Sequence, residues 1–390
     1  MSFKVKLKDV ALLKNGKKIT KKESGRYEVF GANGPIGYSD EFLLEKESII
    51  LGRVGANCGS VHYSSKPIWI SDNTIGIVPK DNVDGYYLYY ILSSLRLNEM
   101  AAGSAQPLIN QSIINSIDLN LINLDKQKKV GAFLQYIDEK IKTNKEIILT
   151  LEQISQTLFK HWFIDFEFPN EEGQPYKSSN GKMVESELGN IPEEWEILRL
   201  SDITTLLKKT FNPSKTDIKT VVHFSLPAFD KNKIPTLDNV SNIKSNKWIL
   251  EDNCIVFSKM NPKTPRIWLT NINKHHVNIA SSEFVVLKSN TAKANSFIYN
   301  LCKSEVFNEY LIANATGSTN SRQRVTPTIA LNFKVALNHE VVNLYSEKIM
   351  WLSEKIKSLC KENATLQQLR DTLLPKLLSG EIEINDDLEV

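Results

Sequence analysis

Cysteine is scarce in this chain. There are four in 390 residues, Cys58, Cys254, Cys302 and Cys360, and none is spaced as CxxC. That argues against a structural zinc site or a disulfide framework, and free thiols in the cytoplasm are the expectation. No apolar run approaches the roughly 18 residues that span a bilayer. The opening MSFKVKLKDV alternates apolar and charged residues like a strand and lacks the apolar core of a signal peptide. No membrane is expected among the partners. Neither sign of charge dominates, with 48 Lys and Arg against 45 Asp and Glu. The motifs of common catalysts are missing as well. There is no GxxxxGK[ST] loop, and Gly31, Gly34 and Gly37 follow a GxxGxxG spacing that does not fit the dinucleotide GxGxxG. Asn212-Pro213-Ser214 and Asn261-Pro262-Lys263 lack the second proline and the aromatic of the [DNS]PP[FY] tetrapeptide of amino-methyltransferases. No Pro-Asp dipeptide begins a PD…(D/E)xK nuclease motif, and His161, His275 and His276 have no ligating neighbours in sequence. No catalytic residue, metal ligand or bound cofactor is assigned to the chain.

What is present is a duplication. EKIKTNKEIILTLEQISQTLFKHWF starts at Glu139 and EKIKSLCKENATLQQLRDTLLPKLL at Glu354, an offset (354 less 139) of 215 residues. Asn123 and Asn338, at the same offset, are the candidate helix caps. Apolar positions then recur at alternating spacings of four and three. In the first copy the seam is Ile137, Ile141, Ile148, Leu151, Leu158 and Trp162, interrupted by Asn144 and Ser155. In the second it is Leu352, Ile356, Leu359, Leu366 and Leu373, interrupted by Asn363 and Arg370. Pro169 stops the first pattern, and Pro375 is expected to end or kink the second near Leu374, leaving Leu377 and Leu378 to a docking tail. A helix of about 40 residues is about 60 Å long and leaves one stripe wet unless it finds a partner. Placing Asn144 opposite Asn363 in an antiparallel pair sets Ile141 against Leu366, Ile148 against Leu359, Leu151 against Ile356 and Leu158 against Ile349, apolar against apolar throughout. An intramolecular antiparallel coiled coil with a buried Asn pair is the expectation.

The repeat extends ahead of each helix. VKLKDVALLKNGK matches ILRLSDITTLLKK, KESIILGRVGANCGSV matches EDNCIVFSKMNPKTP, and WISDNTIGIVPK resembles NIASSEFVVLKS. Short β-branched runs punctuated by Gly, Asn and Pro read as strands of a small mixed sheet, covered by helical stretches near 86–100 and 296–312. The fold class is therefore α+β: two globular domains in pseudo-twofold arrangement, separated by two long helices. The expected boundaries are 1–122 for the first domain, 123–168 for the central helix, 169–193 for a connecting loop, 194–337 for the second domain, 338–380 for the distal helix and tail, and 381–390 for an acidic end. The frameworks match and the loops do not, which suggests two readers of two targets.

The N-terminal region is basic, and its loops carry residues suited to a polyanion. Lys17, Lys18, Lys21, Lys22 and Arg26 can meet phosphates, while Tyr27, Asn33, Tyr38, Arg53, Asn57 and Asn73 can face base edges. The second domain offers Lys208, Lys209, Lys215, Lys259, Asn261, Lys263 and Arg266, then Asn320, Arg322, Gln323 and Arg324 in one short loop. Arg pairs with guanine and Asn with adenine because their donor and acceptor sets match those edges.

The segments LEQISQTLFKHWFIDFEF, SELGNIPEEWEILRLSDI and LRDTLLPKLLSGEI, with GRYEVFGANGPIGYSD and SDNTIGIV in the first domain, resemble the specificity subunit of type I restriction-modification enzymes over nearly the whole chain. The resemblance implies two target-recognition domains reading the halves of a bipartite, asymmetric site in double-stranded DNA, with the coiled coil setting the gap. It implies a non-catalytic, cytoplasmic subunit docking two methyltransferase subunits that bind S-adenosylmethionine and methylate adenine. Two restriction subunits, which use ATP and Mg, would complete the complex. The competing reading from the residues alone is a coiled-coil adaptor holding two protein-binding domains apart, and a salt-dependent DNA shift separates the two because phosphate contacts release counterions.

Overall fold

The structure, a computed structural model, describes residues 2–101, 108–291, 294–317 and 323–384. It resolves into two compact units: residues 1–143 with 365–390, and residues 144–364. Two long helices, Leu124–Phe163 and His339–Ser379, each contribute to both units. No helix among the described residues is long and apolar enough to cross a membrane.

In the first unit, Phe3–Lys6 pairs antiparallel with Asp118–Leu121. A four-stranded sheet follows in the order 11–15, 74–79, 48–52, 61–64, and a three-stranded one in the order 34–39, 27–31, 69–70. Ser48–Gly52 is buried at every position, as a central strand with both faces covered requires. Helix Gly85–Ser94, capped by the Asp84 carboxylate on Tyr87 N at 2.8 Å, packs on this sheet. The second unit repeats the plan. Glu196–Arg199 pairs with Lys334–Leu337, and a four-stranded sheet runs 204–206, 284–289, 255–258, 267–269. Its other sheet has grown to five strands, in the order 210–211, 247–249, 277–280, 220–224, 236–239. In each unit this outer sheet contains one parallel pair, 27–31 with 69–70 and 220–224 with 277–280. The two predicted helical stretches are present, the second divided at Ser304, whose side chain caps the next turn.

The long helices pair in the predicted register. Asn144 Nδ2 donates to Asn363 Oδ1 at 3.0 Å, with both residues buried. Further along, Tyr345 stacks among Phe159, Trp162 and Phe163 and donates its hydroxyl to the Ser155 carbonyl at 3.1 Å, which fixes the antiparallel sense. Leu151, Ile349 and Leu359 are buried, and Ile148, Leu158 and Ile356 pack against the same core. In the first unit Ile141 is buried and Leu366 half-buried.

Three expectations need correction. The first helix ends at Phe163 rather than 168. Ile164 N and Asp165 N both turn back to the Lys160 carbonyl, and Phe166 adopts a left-handed φ of 60°. That turn sends Phe166 and Phe168 onto Trp195. The connecting segment 169–193 is not merely a loop: it carries the hairpin Met183–Ser186 with Gly189–Pro192, and Tyr176 stacks on Phe168 at 4.6 Å. Finally, the second helix continues through Pro375 to Ser379. An interior proline costs about 3 kcal/mol. Leu377 and Leu378 are 1% and 8% exposed in the first unit's core, where Leu373 and Leu374 also pack. Burying such side chains contributes about 1.5–3 kcal/mol each, which outweighs the missing bond. Tyr87 adds a hydroxyl bond to the Leu378 carbonyl at 2.9 Å.

The Asn pair makes a testable statement. Asn144→Ala alone leaves Asn363 buried without its partner and is expected to cost about 1–3 kcal/mol in urea unfolding, whereas Asn144→Leu with Asn363→Leu is expected to be neutral or stabilising. Equal losses in both variants would show that the pair is not what holds this register.

Candidate nucleic-acid interface

Each unit brings turns from distant parts of the chain to one end of its four-stranded sheet, through the same backbone hydrogen bonds. In the first, Arg53 N donates to the Asn73 carbonyl at 3.0 Å and Ile109 N donates to the Arg53 carbonyl at 2.9 Å. In the second, Lys259 N donates to the Glu283 carbonyl at 3.0 Å and Val325 N to the Lys259 carbonyl at 2.9 Å. The turns beneath match too: Ser71 N donates to the Phe30 carbonyl at 2.9 Å, and Ser281 N to the Phe224 carbonyl at 3.0 Å. One frame thus displays Arg53 and Asn73 in one unit and Lys259 and Glu283 in the other.

Around Arg53 the first unit gathers Asn57, Asn73 and Asn33. Asn57 closes the exposed turn Gly55–Asn57. The Asn33 turn is tied down by Ser60 Oγ, which donates to the Ala32 carbonyl, with the His62 ring 3.3 Å from the same oxygen. Gly52 is required there, because a Cβ would sit 2.5 Å from Ser60 Oγ and from the Asn57 carbonyl. Arg53 Nε and Ser71 Oγ are buried without a hydrogen-bond partner. Lys17 flanks this group, its N–H on the Ile70 carbonyl and its carbonyl receiving the Trp69 indole at 2.9 Å, and Lys18 is exposed beside it.

Lys21, Lys22, Arg26, Tyr27 and Tyr38 form a separate group. Lys22 bridges Tyr38 through paired backbone bonds and ion-pairs with Asp40, whose carboxylate raises the lysine pKa. Arg26 lies over the Tyr27 ring at 5.3 Å. Arg26 and Tyr27 line a cleft of about 540 Å³, with Tyr86 and Asp138 on its wall. Asp138 accepts the hydroxyls of Tyr86 and Tyr90 at 2.8 and 2.5 Å and the Arg370 guanidinium at 2.7 Å. Burial and then the Asp138 charge push the ionisation of Tyr86 far above the ordinary phenol range.

In the second unit Asn261, at a left-handed φ of 51°, donates its N–H to the Gln323 carbonyl at 2.8 Å, and Met260 bridges Arg324. Lys263 is exposed in the same turn. Arg324 pairs with Glu283 Oε1 at 3.2 Å, while Glu283 Oε2 and Gln323 Oε1 are buried without partners. Arg266 is held bidentately by Asp230 at 2.6 and 2.9 Å. Lys208, Lys209 and Lys215 lie elsewhere, on the segments that flank strand 210–211. Asn320 and Arg322 fall outside the described residues. Sequence reading missed Ser60, His62, Asp230 and Glu283. For the last, the alignment of WISDNTIG with NIASSEFV comes within one residue, setting Asn73 over Ser282, and the backbone bonds shift the match to Glu283.

The arrangement is a loop-borne set of Arg, Lys, Asn, Gln and Glu side chains, donors and acceptors of the kind that match base edges and phosphates. Comparison with known proteins agrees. The family model of the type I restriction modification DNA specificity domain matches residues 3–153. The MjaIX specificity subunit of Methanocaldococcus jannaschii is 24% identical over 398 residues, covering 94% of this chain and 87% of that protein. The HindI specificity subunit of Haemophilus influenzae is 25% identical over 330 residues, covering 71% of each. The crystal structure of the type I restriction-modification S subunit from M. genitalium shares the fold, with a TM-score of 0.62 at 17% identity over 99% of this chain and 97% of that one. Residues 3–153 thus match the type I restriction modification DNA specificity domain, and the chain is similar over most of its length to type I restriction enzyme specificity subunits.

Proposed function

We propose that the two units read the two halves of a bipartite, asymmetric sequence in double-stranded DNA. The observation that carries this is the equivalence of Arg53 with Lys259 and of Asn73 with Glu283 on identical backbone bonds. A shared scaffold with different chemistry at its tips is what two readers of different targets require. Exposed lysines, Lys17 and Lys18 in the first unit and Lys208, Lys209 and Lys215 in the second, supply phosphate contacts that position each unit, and the central side chains discriminate bases. The helix pair sets the number of base pairs left unread between the half-sites. The chain itself contributes recognition and docking. S-adenosylmethionine is bound by two methyltransferase subunits, and ATP and Mg by two restriction subunits.

Docking is supported by apolar side chains that the paired helices leave in solvent. Within the second unit these are Ile147, Leu149 and Ile154 on the first helix and Leu344, Met350 and Trp351 on the second, 38–62% exposed. Ile147 and Ile154, and likewise Leu344 and Trp351, are seven positions apart and so share a helix face, which makes these pairs the candidates for docking.

The primary experiment is a genome-wide map of N6-methyladenine with and without this gene, which is expected to lose one bipartite motif. In that assay Arg53→Ala should relax or weaken one half-site, and Lys259→Ala the other, by about 1–3 kcal/mol for a base contact. Equal damage to both halves by either variant would contradict the assignment of one unit to each half. Inserting one matched heptad in each helix, after Thr143 and before Ala364, adds about 10.5 Å. The unread gap should lengthen by about three base pairs with both half-site sequences kept; altered half-sites would refute the spacer role. Trp351→Ala should weaken methyltransferase capture by about 1 kcal/mol or more while leaving the melting temperature unchanged. Undiminished capture would move the docking face elsewhere.

A further inference from the structure

The second unit holds a carboxylate where the first holds an amide. Glu283 stands on the turn just before strand 284–289, in the place Asn73 occupies before strand 74–79. Its Oε1 accepts from Arg324 at 3.2 Å, and its Oε2 is buried with no partner. A buried carboxylate oxygen without a donor is costly. The oxygen therefore calls for a donor that the chain itself does not supply. Gln323, next to Arg324, also buries an unpartnered side-chain oxygen, Oε1. In the first unit the residue matching Glu283 is Asn73, and the unpartnered buried atoms of that frame are Arg53 Nε, a donor, and Ser71 Oγ.

Among base edges in the major groove, cytosine presents only a hydrogen-bond donor, its N4 amine, and its paired guanine presents only acceptors, O6 and N7. A carboxylate beside a guanidinium matches those two edges in one step. Adenine fits less well, because its N7 acceptor would face the carboxylate. Within this pair Arg324 is 58% exposed at its side chain and faces solvent, while Glu283, at 27%, is the more enclosed partner. We infer that Glu283 and Arg324 act as one specificity element that reads a C·G base pair in the half-site of the second unit, Glu283 accepting from cytosine N4 and Arg324 donating to guanine. The inference rests on the proposed reading of DNA by this unit and adds the identity of one base pair to it.

The test uses the assembled methyltransferase complex and compares methylation motifs of the wild type, Glu283→Gln and Arg324→Gln. The wild-type motif is expected to contain a fixed C·G pair that both variants relax, about tenfold or more in preference, at the same single position. Glu283→Gln should in addition admit A·T there, since an amide pairs with the N6 and N7 edge of adenine. The other half-site is the internal control and should not change. Changes at different positions, or an unchanged motif in both variants, would overturn the element. Arg324→Gln alters an exposed side chain, so it decides the matter even where Glu283→Gln fails to assemble. A wild-type map without any bipartite motif would instead defeat the proposed function itself, and the two failures are thereby distinct.

Discussion

Two apolar stripes that must leave water are the constraint on which the rest of this structure depends. Neither long helix is stable as a solitary rod, because a seam of Leu and Ile on each would stay wet. Pairing them buries that seam, but hydrophobic contact alone is indifferent to a slip of one heptad. The buried Asn144–Asn363 bond removes that freedom, at 3.0 Å and with both amides shielded from solvent. Once that register is set, Asp138 meets Arg370 and Tyr345 meets Ser155 without further adjustment. The stripes provide the energy and the amides provide the alignment.

Each globular part is then tied to the paired helices by a polar anchor of its own. In the first unit Asp138 collects two tyrosine hydroxyls and a guanidinium. Burial opposes the charge on Arg370, and its bonds to Asp138 more than restore it, so its pKa rises. In the second unit Glu152 receives the Tyr299 hydroxyl at 3.1 Å and the Lys303 ammonium at 3.0 Å. Burial alone would raise the Glu152 pKa, yet Lys303 and Lys233 hold it below the ordinary carboxylate value. These are partly buried charge networks, in which removing one member leaves the others without partners.

The sequence was most legible where periodicity carried the information. The heptad seam, the caps at Asn123 and Asn338 and the register across Asn144 could all be read from spacing. So could the repeat ahead of each helix, to within one residue of the match between Arg53 and Lys259. Legibility failed where tertiary terms outweigh local ones. Pro375 reads as a stop, yet four leucines around it reach a core that only the folded chain assembles. Segment 169–193 reads as a linker because its one aromatic residue, Tyr176, shows nothing in sequence of its stacking on Phe168, which in turn meets Trp195. The candidate site was legible by residue type and not by assembly: Arg266 looks like a free cation until Asp230, 36 positions away, takes both arms of its guanidinium.

The anchors have a consequence for inheritance. Asp138 in the first helix corresponds by the 215-residue repeat (353 less 138) to Ser353 in the second, where the facing residue is Ser296 at 3.3 Å. A gene segment that carried the first recognition domain into the second position would bring Tyr86 and Tyr90 against a serine and leave Asp138 and Arg370 behind. Two hydroxyls would lose their acceptor. An exchange of the two domains would therefore keep these bonds only if the helix segment that carries Asp138 moved with the domain it anchors. One half-buried carboxylate thus sets the condition under which a rearranged copy of this chain would keep both tyrosine hydroxyls paired.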